Sequence, residues 1–128
     1  MNLVVFHGNL GRDPESRVLN SGDTVTSFSL AVKGRRKDDG PMWVRVSVWG
    51  KQGDTCKSFL HKGSGVIVYG NLSYDLETGG PRIWESNSGP RSSFDMVASR
   101  VEFVGGRVSA SEAPVDNPVE EEEDSIPF

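Results

Sequence analysis

Residues 42 to 49 read Met42-Trp43-Val44-Arg45-Val46-Ser47-Val48-Trp49. In an extended chain successive side chains point to opposite faces. Val44, Val46 and Val48 therefore share one face, and Trp43, Arg45, Ser47 and Trp49 share the other. The valine face belongs in a core. The opposite face sets two indoles and a guanidinium in a row, an unusual set for a surface strand.

The flanking segments repeat the pattern. Thr24 to Lys33 alternates, with Thr26, Phe28, Leu30 and Val32 on one side and Ser27, Ser29, Ala31 and Lys33 on the other. A basic, glycine-bounded loop, GRRKDDGP, follows it. Leu3 to Leu10 is a strand closed by the turn Gly11-Arg12-Asp13-Pro14. Lys51 to Leu60 is the one helical segment, with Cys56, Phe59 and Leu60 at helical spacing, although Gly53 counts against it. Gly65 to Tyr74 alternates again, with Val66, Val68 and Leu72 opposed to Ile67, Tyr69 and Asn71. Asp75 to Ser93 reads as a long glycine- and proline-rich loop holding Trp84, and Phe94 to Val104 as a last strand. Three strands, a short helix and two strands make an all-β chain with the order of a five-stranded OB-fold barrel, the helix lying between strands three and four.

Composition divides the chain. Hydrophobic residues make up only 35 %, and the 15 glycines suit short strands and tight turns. Residues 105–128 hold one base, Arg107, against seven acids (Glu112, Asp116, Glu120, Glu121, Glu122, Glu123 and Asp124). That stretch carries −6 of the overall −4, and residues 1–104 carry +2. The reading is an OB-fold domain over 1–104, a disordered linker over 105–119 and an acidic tip over 120–128, since the last two cannot bury enough apolar surface to offset their ordering entropy. One cysteine excludes an internal disulfide. With no signal-peptide pattern and no spanning apolar run, the expected location is cytoplasmic and nucleoid-associated.

Catalytic and metal-binding patterns fail one by one. His7 lies in a strand and His61 after the helix, without a metal-ligand spacing; Asp13 and Glu15 flank a proline turn; Gly63-Ser64-Gly65 is not a phosphate loop. Cys56 falls on the apolar helix face, as core cysteines do. No enzyme, metal or cofactor is expected. The face of Trp43, Arg45 and Trp49 has two readings. Indoles stack on any base without reading its identity, and Lys33 with Arg35, Arg36 and Lys37 adds phosphate-seeking charge. Alternatively the indoles bury a subunit contact, or the face meets RNA, whose bases stack equally well. Trp84, beside Arg82 and Arg91 and poor in apolar neighbours, fits the same stacking role. After five consecutive acids and Ser125, the apolar Ile126-Pro127-Phe128 offers an aromatic anchor to a basic-rimmed pocket.

The chain resembles the bacterial single-stranded DNA-binding protein family, which phages also carry. The resemblance rests on VVFHGNLGRDPESR, WVRVSVWGK, KSFLHKGSGVIVYGNL, VEFVGGR and the EEEEDSIPF tip, and it covers nearly the whole sequence. It implies sequence-independent binding and protection of single-stranded DNA in replication, recombination and repair, without a cofactor, by a homotetramer built from dimers paired through the first strand. It aligns Trp43, Trp49 and Trp84 with stacking aromatics, and Asp124, Ile126, Pro127 and Phe128 with a tip that docks replication and repair proteins. Basic Arg35, Arg36 and Lys37 stand where many members carry an aromatic, and Val44 stands where some carry a subunit-contact histidine.

About 15 residues separate Gly105 from the acid run, spanning about 20 Å as a coil and about 50 Å fully extended. That length is enough for the acid run to visit the basic groove of its own or a neighbouring subunit. Removing Glu120 to Phe128 is expected to tighten binding to oligo-dT at low salt, with the gain fading as salt screens it. Removing Phe128 alone should leave DNA affinity unchanged and abolish capture of partner proteins, as read by pull-down with a purified repair helicase or nuclease.

Overall fold

A computed structural model describes residues 1–104; the linker and tip expected over 105–119 and 120–128 lie outside the described residues. In chain order the elements are β1 (Val4–Leu10), β2 (Glu15–Val18), β3 (Thr24–Val32), β4 (Met42–Trp49), α1 (Gly50–Phe59), β5 (Gly65–Leu72), β6 (Arg82–Ser86) and β7 (Gly89–Val104). Five of these close into a barrel. β3 runs antiparallel to β4, β4 parallel to β7, β7 antiparallel to β5, and β5 antiparallel to β1. The ring is completed where β1 meets β3 at the pairs Gly8↔Val32, Asn9↔Ala31 and Leu10↔Leu30.

The alternation in the sequence becomes the inside and outside of this barrel. Val44, Val46 and Val48 of β4, Phe28 and Leu30 of β3, and Val66 and Val68 of β5 are buried in one cluster. Val44 therefore fills the core, instead of the surface position that a subunit-contact histidine implies. α1 plugs one end with Cys56, and Leu60 just beyond it is buried too. Burial pushes the Cys56 thiol up to about 11, because the apolar interior disfavours the thiolate. Phe59, expected on the same helical face, is instead 71 % exposed, with its ring 6.5 Å from that of Phe103. A helix laid across a barrel mouth buries a narrow stripe, and Phe59 falls outside it.

Two strands were not expected. Every residue of β2 is exposed, so no apolar period marks it, yet its Ser16 hydroxyl lies 2.8 Å from that of the fully buried Thr26 and satisfies it. β6 and the start of β7 form a hairpin where the sequence reads as loop, with Trp84 opposite Arg91 and Ser86 opposite Gly89. Its strands stand outside the barrel with mostly exposed side chains, so hydrophobic alternation is absent there too. Gly89 takes φ 108° at its turn, a conformation that favours glycine. β7 also bulges at Ser99. Gln52 of α1 serves the bulge, donating to the Ser99 carbonyl at 3.2 Å and accepting from Val101 N–H at 2.8 Å.

Gly53, which weakens the helix in isolation, is what lets it dock. A Cβ there would collide with the Val48 carbonyl and come within 2.9 Å of the Thr26 hydroxyl oxygen. Alanine gains up to about 1 kcal/mol of helix propensity, but overpacking against backbone costs about 1–3 kcal/mol. Gly53→Ala is accordingly expected to lower stability by about 1–2 kcal/mol in urea unfolding, against the propensity trend.

Candidate nucleic-acid interface

The outer face of β3 and β4 gathers the expected residues. In register, Trp43 lies beside Ala31, Arg45 beside Ser29, Ser47 beside Ser27 and Trp49 beside Val25. Trp43 is 52 % and Trp49 45 % exposed. Six residues apart on one strand, the two indoles stand about 20 Å from each other. A stacked nucleic-acid strand advances about 3.4 Å per base, so the rings are separated by several base steps. Between them the side chains of Ala31, Ser29, Ser27 and Ser47 are small, which leaves a shallow floor. Arg45 rises from that floor with no ion pair among the described residues.

Each indole has its own support. Trp43 rests on Gly11, where a Cβ would come within 2.5 Å of Cζ3 and 2.8 Å of Cη2. Gly11 is itself fixed by donating its N–H to the Ser29 carbonyl at 2.9 Å. The rest of the GNLGRDP run anchors the same corner. Asp13 accepts from the Lys62 N–H at 2.7 Å, and the Pro14 carbonyl accepts from the Lys57 ammonium at 2.8 Å. At the other end, Trp49 is the register partner of Val25, which is buried outside the barrel cluster and has Arg17 as its partner on the other side.

The basic loop and the hairpin frame the Met42 end of β4. Lys33, Arg35, Arg36 and Lys37 are all exposed, on a turn held by Asp39, which accepts from the Arg36 N–H at 3.1 Å. Asp38 and Asp39 offset half of that positive charge. Because β7 runs parallel to β4 and pairs Phe94 with Val44, its preceding residues carry past Met42 towards this loop. Trp84 thereby stands on a hairpin strand, not in an irregular loop, and is 39 % exposed. The sequence reading missed what it touches. The Arg82 guanidinium lies 4.6 Å from the Trp84 ring centroid, and its Nε is 3.5 Å from Asp95.

Residues 1–104 match the sequence profile of the Single-strand binding protein family. The chain belongs to that family. The single-stranded DNA-binding protein of Xanthomonas axonopodis pv. citri is 38 % identical over 113 residues, covering 84 % of this chain but 59 % of the relative. Single-stranded DNA-binding protein 1 of Synechocystis sp. is 34 % identical over 125 residues, covering 94 % of this chain and 98 % of that one. Among solved structures, a deletion mutant of the single-stranded DNA binding protein from Thermus aquaticus superposes with a TM-score of 0.63 at 26 % identity, over 88 % of this chain and 45 % of the other. The chain thus spans less than two thirds of some relatives and nearly all of another.

The contact between Gly11 and Trp43 is separable from the barrel. In Gly11→Ala the methyl must push the indole away, so the variant is expected to keep its far-ultraviolet dichroism while its tryptophan emission and acrylamide quenching change. Unaltered fluorescence would mean that the indole does not rest there.

Proposed function

We propose that this chain binds single-stranded DNA without sequence preference, stacking bases on Trp43, Trp49 and Trp84 and meeting phosphates with Arg45, Lys33, Arg35, Arg36 and Lys37. The observation that carries the reading is the half-exposed pair of indoles flanking an unpaired Arg45 on a floor of small side chains. Serine and alanine are depleted at subunit interfaces, and here the residues between the indoles on the two strands are mostly serines and an alanine. The family match supports the same substrate. The activity is binding and protection in replication, recombination and repair, with no catalytic step and no cofactor. RNA remains the competitor that the assay must include, because stacking does not sense the 2′-hydroxyl.

Two further parts belong to the proposal. Asp124, Ile126, Pro127 and Phe128 form the tip that docks replication and repair proteins. The chain assembles as a homotetramer whose dimers pair through β1. Supporting this, β3 covers one side of β1 only from Gly8 to Leu10, and Leu3 and Val5 are exposed beside the uncovered Val4–Phe6 stretch.

Titrating intrinsic tryptophan fluorescence with poly-dT tests the central claim. Strong quenching is expected, and Trp43→Ala or Trp49→Ala should each weaken binding by about 1–3 kcal/mol without unfolding the protein. The salt slope should be about −0.7 per phosphate neutralised, and it should flatten when Arg35, Arg36 and Lys37 are neutralised together. Unchanged affinity in the tryptophan variants, accompanied by a smaller oligomer in sedimentation, would replace this reading with the interface one.

A further inference from the structure

An acid sits inside the proposed binding path. Asp95 on β7 is the register partner of Arg45 on β4, and both lie on the outer face. One of its carboxylate oxygens accepts from the Ser93 hydroxyl at 2.8 Å, and the other lies 3.5 Å from Arg82 Nε. Arg82 and Trp84 are two residues apart on β6 and so share a face of the hairpin. The guanidinium at 4.6 Å from the indole centroid therefore covers one π-face of Trp84.

From this we infer that Asp95 is a positioning residue that holds Arg82 as a tethered lid on Trp84, and this rests on the single-strand-binding reading above. A planar cation and a base compete for the same π-face, and at an exposed site the base forms the stronger stack. On binding, the base takes the indole and the guanidinium swings aside while staying with Asp95. Arg82 and Asp95 also line, with Tyr74, Leu76 and the acids Asp75 and Glu77, a hollow that gives the side chain room to move. Held by its carboxylate, Arg82 does not neutralise a phosphate. The pair thus lowers affinity at the hairpin and keeps one arginine out of the electrostatic count, while Arg45 beside it stays available.

The experiment measures oligo-dT affinity against salt for the full chain, for Asp95→Asn, for Asp95→Glu and for Asp95→Asn combined with Arg82→Ala. Asp95→Ser serves as the neutral variant if Asn does not fold. Freeing Arg82 should tighten binding about two- to five-fold and steepen the salt slope by about 0.7, one phosphate's worth. Asp95→Glu should behave as the unaltered protein, and the double variant should lose the added slope. In a Trp43→Phe, Trp49→Phe background Trp84 is the only indole, and acrylamide should quench it more readily once Asp95 is neutral. An unchanged slope in Asp95→Asn overturns the inference. So does a steepened slope that survives loss of Arg82, which would mark Asp95 as a simple repulsive charge. If the unaltered chain fails to bind oligo-dT at all, the underlying reading of function falls instead.

Discussion

Closure of the barrel depends on a contact that admits no side chain. At Gly8 the β1 backbone approaches β3 so closely that a Cβ would collide with the Ala31 carbonyl. The three pairs made there join the two ends of the sheet, and closure is the one arrangement that removes unpaired sheet edges from a small β domain. With the ring closed, alternate residues of every strand have one interior to fill. That interior takes the valines of β4 and β5 and the larger Phe28, Leu30 and Met96.

The outward face follows from the same geometry. Once Val44, Val46 and Val48 are committed inward, Trp43, Arg45 and Trp49 have no choice but to face out, at spacings set by the strand. What makes this face usable is its surroundings. Gly11 supports one indole, Val25 is the register partner of the other, and small residues on β3 keep the floor open. The glycines of the GNLG run thus have separate duties, Gly8 in closing the barrel and Gly11 in seating Trp43. Asp13 and Pro14 tie that corner to the helix end and its following turn, which explains why the run is so compact.

Charge is arranged with restraint. The basic loop carries its own acids, Asp38 and Asp39, and Arg82 of the hairpin is matched by Asp95. Among the described residues Arg45 is left without an ion pair on the outer face, beside two half-exposed indoles. Under the proposed single-strand-binding function, such a face combines stacking of moderate strength with a modest electrostatic term.

Local chemistry alone determined much of this. Strict alternation in residues 24–33, 42–49 and 65–72 specifies strands with one buried face, because a slip of one residue would bury serines and an arginine. It also specifies which aromatics face out, and the GNLG-x-DPE run marks the family. Tertiary structure decided the rest. β2 and the β6–β7 hairpin carry no apolar period, since neither packs a face into the core, and only pairing with β3 and β7 makes them strands. Phe59 looks internal on a helical wheel, but the width of the barrel mouth leaves it in solvent. Gly53 looks like a defect until the Val48 carbonyl is seen against it. The partnership of Trp84, Arg82 and Asp95 joins residues up to 13 positions apart across a hairpin, and no local pattern encodes a contact made by folding two strands together.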